Sequence, residues 1–340
     1  MRGTHGGGLI TLTLAEGDSV WVCNNDTLFC VKRDGIRVTL GSLQKSKGMG
    51  FGFTMFYRLS KSEAFVSNNS KFYKLRTVEP YKLDLVPEMG NKTVRHISPY
   101  KDMLILSIYK DGIYIYKNNH FYRVPTDEDY PELTHCHSTY VDNSGGIWVT
   151  TNNGLFRSTV SSVVESALTT GVKPFFYTYG RDDGIDNLEF NGAGTPAYAL
   201  LANGRLFYPS MGGIVTFDPK ELNDEILSTP ISIDKISMDK MVIDPVYKDS
   251  FNVAADFNFM FIDFNLPNFG NAKNLILESN FDNLGWEKIP VASPRRLTII
   301  GNIPSGNHQL VIRKRTGYGT NDYVYKTIIF YKEKKIYEQL

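Results

Sequence analysis

The sequence predicts an all-β chain: a partial β-propeller followed by an immunoglobulin- or fibronectin-like β-sandwich. Three observations carry this. A frame of two apolar anchors recurs along the first two thirds of the chain, with its first anchors at Trp21, Phe65, Leu106, Trp148 and Phe207. The composition is rich in strand-forming residues, with 13% aromatics including 20 Tyr and 21 Phe. Beyond Pro230 the repeat stops and short alternating apolar–polar runs take over.

The repeat comes first. Each first anchor is followed seven residues later by a second: Leu28, Phe72, Ile113, Leu155 and Ile214. The separations between first anchors are 44, 41, 42 and 59 residues. Short strands with a period of about 40–45 residues are the signature of propeller blades. In four of the five frames Asn, Asp or Gly supplies the turn between anchors, as in Asn24-Asn25-Asp26 and Asn152-Asn153-Gly154. These residues accept the backbone that tight hairpins need. A blade cannot bury its face alone, so the anchors are expected to pack between neighbouring blades at equivalent strand positions. The 59-residue interval contains Ser162 with Glu165 three residues on and Gly171 at the end, which predicts a short helix starting at Ser162. Trp21 lies so near the start that its blade is expected to be short of outer strands, and the ring to be incomplete within this chain.

The boundaries follow. Residues 1–222 are read as blades, 223–230 as an exposed connector, 231–333 as the sandwich and 334–340 as a tail. The sandwich strands are expected at 231–236, 257–264, 275–278, 296–300, 308–314 and 325–331, with Trp286, Leu284, Phe261 and Leu310 in the core. About a hundred residues of short alternating strands suits such a fold.

Bulk properties narrow the function. A net charge of +1 argues against a nucleic-acid partner, which is held by basic patches. No apolar run approaches the length of a membrane span. Three cysteines do not make a disulfide framework. If Cys23 sits opposite Leu28, Cys30 is a diagonal neighbour, too far for a bridge.

Several stretches resemble a known family. Asp142-Asn143-Ser144-Gly145-Gly146-Ile147-Trp148-Val149-Thr150-Thr151-Asn152-Asn153-Gly154-Leu155 is similar to the repeat of two-component regulator propellers. Asp183 to Asn191, and Asn203 to Pro219, resemble the last blade of those proteins. The C-terminal hundred residues are similar to the three-tyrosine domain that follows them, on the cues Leu277-Glu278, Trp286 and Ile303-Pro304-Ser305-Gly306. The resemblance implies the periplasmic sensor region of a hybrid two-component receptor of the Bacteroidetes type. Such a region binds an oligosaccharide and acts within a dimer, and a downstream helix absent from this chain makes its membrane contact. Its final strand would leave the sandwich pointing away from the propeller. Where the family commonly carries tyrosine, this chain has Lys273, Leu275 and His308.

Candidate chemistry is sparse. His135 and His137 would share one strand face with Cys136 on the other, and two histidines fall short of a metal site. Asp127-Glu128-Asp129 and Asp182-Asp183 sit in turn-like contexts rather than as the facing carboxylates of a glycosidase. Neither a catalytic residue nor a cofactor is expected. Sugar recognition pairs aromatic faces with polar hydrogen-bonders, which singles out Tyr109, Asp111, Tyr130, Arg181 and Asp182 as ligand-binding candidates. A propeller hydrolase or lyase acting on polysaccharide, and a plain interaction scaffold, are the alternative readings.

Overall fold

The computed structural model describes residues 10–16, 19–24, 27–35, 37–42, 54–68, 70–192, 196–222, 228–239, 241–243, 250–266, 272–290 and 296–335. It divides into two compact units, residues 1–223 and 224–340.

Among the described residues the first unit holds five successive antiparallel sheets. Blade 1 is β1 (Ile10–Glu16), β2 (Ser19–Asn24), β3 (Thr27–Lys32) and β4 (Arg37–Ser42). Blade 2 is β5 (Met55–Arg58), β6 (Glu63–Ser67), β7 (Phe72–Arg76) and β8 (Lys82–Leu85). Blade 3 is β9 (Thr93–Tyr100), β10 (Met103–Tyr109), β11 (Gly112–Lys117) and β12 (His120–Arg123). Blade 4 is β13 (Cys136–Val141), β14 (Gly146–Thr151), β15 (Gly154–Thr159) and β16 (Tyr177–Tyr179). Blade 5 has three strands among the described residues, β17 (Ala199–Leu200), β18 (Leu206–Ser210) and β19 (Gly213–Phe217). Strands within each sheet are hydrogen-bonded in sequence order. The first strands of blades 1 to 4 contact one another in succession, while β8 and β12 are mostly exposed, so the first strand of each blade is the inner one. Blade 1 is not short of strands, because residues 10–42 fit all four.

The anchors fall on the second and third strands of every blade. Trp21 pairs with Cys30, Phe65 with Lys74, Trp148 with Arg157 and Phe207 with Thr216. Each partner lies two residues past the second anchor. Blade 3 departs by one, with Leu106 opposite Tyr114. Its turn has three residues, 109–111, where the others have two or four, and an odd turn shifts the pairing by one. Trp21 packs with Phe56, Ala64, Val66 and Leu75 of blade 2, and Phe65 and Phe72 with Val94, Ile97 and Leu106 of blade 3. Blade 5 breaks the expectation. Ile214 is 71% exposed, and Leu206 and Tyr208 are the buried residues of β18. Alternation along β18 places them, rather than Phe207, on the packed face.

Blade 4 shows why its motif reads as it does. Asp142 Oδ1 accepts from the backbone N–H of Ser144 (2.9 Å) and Gly146 (2.8 Å), closing the turn before β14. Its Oδ2 accepts from Trp148 Nε1 at 3.0 Å. One carboxylate thus shapes the hairpin and orients the buried indole. A Cβ at Gly146 would lie 2.4 Å from that Oδ2, so any other residue would push the carboxylate off its hydrogen bonds. The helix α1 (Val160–Leu168) starts earlier than expected: Thr159 is the N-cap and accepts from Ser162 N, so Ser162 lies inside the first turn. Cys23 is opposite Leu28, as the turn requires, and Cys30 is a free, buried thiol.

The second unit is two sheets around one core. One sheet runs β21 (Met241–Ile243), β20 (Ser232–Met238), β23 (Phe259–Asn265), β26 (Arg296–Ile300). The other runs β22 (Ser250–Val253), β28 (Tyr323–Lys332), β27 (Gly306–Arg315), β24 (Leu277–Phe281), β25 (Glu287–Lys288). Met260, Ile262, Phe264, Leu277, Leu310, Ile312 and Phe330 fill the space between them. Three expected core residues are outside it. Leu284 is 84% exposed and Trp286 38% exposed, because they flank the Gly285 turn between β24 and β25. Trp286 instead stacks on the Arg313 guanidinium, 3.8 Å from the ring centroid. Phe261 is partly buried and alternates away from Met260 and Ile262. Buried lysines tie loops to this unit: Lys332 Nζ donates to the carbonyls of Gly301 and Ile303, and Lys314 Nζ to Thr229. Of the connector, residues 223–227 lie outside the described residues, as does Leu340.

Candidate functional site

Two features of the first unit meet at the inner strands of blades 2 to 4. The first is a cavity of about 270 Å³. Met55, Phe56 and Tyr57 of β5, His96 and Ile97 of β9, and Pro196, Ala197 and Tyr198 ahead of β17 line it. Most of the lining is apolar, and its polar side chains are two phenols and an imidazole. His96 and Tyr198 rings lie 5.5 Å apart, and Tyr198 also meets Tyr140 and Tyr208 edge-on or tilted. Burial lowers the His96 pKa to about 4, so the ring is neutral at neutral pH. Its Nδ1 faces Ser98 Oγ and the Thr139 N–H, both at 3.4 Å. Burial also raises the Tyr57 and Tyr198 phenols above their ordinary value, so both keep their protons. The lining is therefore uncharged, with hydroxyl and imidazole donors on an aromatic wall. Behind it, the buried Tyr208 hydroxyl has no hydrogen-bond partner among the described residues.

The second feature is built by a repeated irregularity. In blade 3, Ser107 faces His96 and Ile108 faces Val94, leaving Arg95 as the extra residue of a β-bulge. In blade 4, Cys136 faces Thr151 and Ser138 faces Thr150, leaving His137 in the same role. Blade 1 repeats it in the backbone at Thr11. A bulge re-aims the side chain it carries, and here it turns two side chains of adjacent blades onto each other. Arg95 Nη1 donates to His137 Nδ1 at 2.5 Å, and His137 Nε2 donates to Asn152 Oδ1 at 2.6 Å. The Arg95 guanidinium lies 3.6 Å from the Tyr109 ring centroid, and His137 stacks on the same ring. His137 is only 4% exposed; burial first, then the Arg95 charge, lowers its pKa to about 4. It is therefore the neutral tautomer with the proton on Nε2. Gly192 closes on its back, where a Cβ would lie 2.2 Å from that of His137.

The sequence candidates separate. Tyr109 belongs to this cluster. Asp111, two residues on, is held by Lys92, Arg123 and the Tyr114 hydroxyl. Tyr130 is buried against Phe156 and Phe176. Arg181 and Asp182 are exposed in the short turn 181–183. The acidic groups are likewise engaged: Asp127 with Arg123, Glu128 with Lys173, and Asp183 with the Gly180 N–H. His135 and His137 both flank Tyr109, and Cys136 turns inward to the Gly112 carbonyl. Both His137 ring nitrogens are occupied by Arg95 and Asn152, which leaves no lone pair for a metal. His96, Arg95, Tyr57 and Tyr198 escaped the sequence reading. A bulge leaves no mark in apolar periodicity, although the equivalent spacing of Arg95 and His137 ahead of Leu106 and Trp148 (11 residues each) was available as a signal.

No family model matches the chain, and no curated protein does. Solved structures do align with it. Two are named as extracellular domains of a "putative hybrid two component system" of B. thetaiotaomicron. One is 13% identical over 96% of this chain and 50% of that one, with a TM-score of 0.39. The other is 12% identical over 94% and 50%, with a TM-score of 0.45. A third is PorZ, a surface component of the type-IX secretion system of Porphyromonas gingivalis; the alignment covers 97% of this chain and 53% of that one, with 11% identity and a TM-score of 0.37. The chain spans about half the length of each of these structures. The propeller architecture rests on the sheet order and inner-strand contacts of the chain itself. Among the described residues, no helix is long and apolar enough to cross a membrane.

Proposed function

We propose that this chain is the ligand-sensing part of an extracytoplasmic two-component receptor, and that its ligand is an oligosaccharide held at the inner strands of blades 2 to 4. The observation that carries the reading is the cavity between Tyr57, His96 and Tyr198. Sugars present apolar C–H faces and a rim of hydroxyls. Aromatic walls pack on the former, and phenol and imidazole groups hydrogen-bond the latter. Among the described residues the cavity lining contains no carboxylate, whereas glycoside hydrolysis needs a facing pair. That favours binding over turnover. The motifs around Asp142–Leu155 and Asp183–Asn191 support the receptor class. The dimeric parent, its periplasmic placement and the relay to a kinase belong to the same proposal. A ligand can drive that relay only through different affinities for two poses of the receptor.

The test is a thermal-shift screen of the chain against oligosaccharides. A true ligand stabilises the folded state by RT ln(1 + [L]/Kd), about 2.7 kcal/mol at a hundredfold excess over Kd. The same ligand should give no shift with Tyr198→Ala, while that variant keeps its unliganded melting temperature within a few degrees. A ligand whose shift survives both Tyr198→Ala and His96→Ala binds elsewhere, and the reading fails.

A further inference from the structure

We propose that Arg95 makes this an acidic-saccharide site, taking a sugar that carries a carboxylate or a sulfate; the inference rests on the saccharide reading above. The guanidinium of Arg95 is half-buried and has one hydrogen bond, to the neutral His137. Among the described residues no carboxylate pairs with it. Burial lowers its pKa, and the groups that oppose this are Tyr109 and Cys136. Three other arginines sit on carboxylates instead. Arg123 is paired with Asp127 and Asp111, Arg296 with Asp263, and Arg313 with Glu278. A guanidinium carries five N–H donors in a fixed fork that matches a carboxylate or sulfate. In Arg95 one donor is used and the plane is pinned on Tyr109. Lys110 adds a second positive charge over the same ring at 5.9 Å. Desolvating a charge without a counter-ion is costly, and an anion bound here would supply one.

The position of Arg95 ties it to the cavity. It directly precedes His96, which lines the cavity, and consecutive Cα atoms are about 3.8 Å apart. In this proposal one sugar sits against Tyr198 and His96 while its acidic substituent, or its neighbour's, is held by Arg95. His137 and Asn152 act as positioning residues. The neutral imidazole accepts from Nη1, fixes the fork's rotation and adds no competing charge.

The experiment compares matched pairs by titration calorimetry: uronate-containing disaccharides and their methyl esters, and sulfated disaccharides and their desulfated forms. The members of each pair differ only at the acidic group. The wild-type chain should bind one acidic member at least tenfold more tightly than its neutral partner. Arg95→Gln should remove that preference and leave affinity for the neutral partner within about twofold. Arg95→Lys, which keeps the charge but loses the fork, should fall between. Lys110→Gln, at an exposed position, should reduce the preference severalfold without touching the fold, and melting temperatures check all three variants. Equal binding of charged and neutral partners, lost in Tyr198→Ala, would sink the acidic proposal and keep the saccharide reading. Acid binding that needs Arg95 but is indifferent to Tyr198→Ala would sink the cavity reading and keep the anion site. No binding by any member of the panel overturns both.

Discussion

Single side chains do several jobs in this propeller, and Asp142 is the clearest case. Its carboxylate accepts from Ser144, Gly146 and Trp148. Burial opposes ionisation there, yet hydrogen bonds from Ser144, Trp148 and Gly146 hold the pKa below the ordinary value. Hydrogen bonds to a charged group contribute about 1.5–3 kcal/mol each at most, and they are not additive. Asp142→Ala should therefore lower stability by about 3 kcal/mol in urea melts, and Asp142→Asn by less, since one acceptor oxygen remains. The histidines at 96 and 137 make a second prediction at this scale. His96 and His137 each have a folded pKa near 4 against an ordinary value of 6.5. Between those values the unfolded chain binds protons that the folded chain does not. Stability is unaffected by these rings above pH 6.5 and falls as pH drops towards 4, at roughly 1.4 kcal/mol per pH unit per ring once well inside the window. Carboxylates add a similar slope only at the acid end. Urea midpoints of wild type and His137→Asn at pH 5 and 7 read the difference: the variant should lose less stability on acidification. An equal loss in both would show that His137 is already charged in the fold. Of these residues the Asp-x-x-Gly-x-Ile-Trp spacing was readable in the sequence. The role of His137 was not, since its partners come from residues 95, 109 and 152.

The elements show where periodicity suffices and where turns override it. The seven-residue anchor frame located β2, β3 and their counterparts in every blade, because two strands joined by a short turn leave little freedom. The odd turn at 109–111 and the exposed Ile214 mark its limits: register depends on turn length, and burial depends on which face a short terminal sheet packs. The sandwich strands were legible from alternation at 259–265 and 306–315, whereas the place of Trp286 was not, because a large ring can be covered by a cation at the surface as well as by a core. This difference between the tryptophans is measurable. Trp148 is fully buried beside Tyr179 and Phe217, so Trp148→Ala should cost about 3–5 kcal/mol. Trp286→Ala removes an exposed stack on Arg313 and should cost about 1 kcal/mol or less. Comparable losses for the two would place Trp286 in a core after all.

At the scale of the molecule, the chain is two units, each with its own apolar interior. Residues 228–335 expressed alone should unfold in one cooperative transition, because the core from Ile231 to Phe330 lies wholly within them. A non-cooperative melt would mean that this unit draws on the blades for its stability. The blades in turn bring β5, β9 and residues 196–198 together from positions more than a hundred residues apart, which is why no local motif announced the cavity. The central claim is that this constellation binds a saccharide and leaves it intact. The most direct measurement is a calorimetric titration of the chain with an oligosaccharide that passes the thermal screen, followed by chromatography of the recovered sugar. The account predicts saturable binding near one ligand per chain, lost in Tyr198→Ala, with the sugar recovered at its original length. Cleaved sugar that disappears with Tyr198→Ala would contradict it and make the cavity an active site.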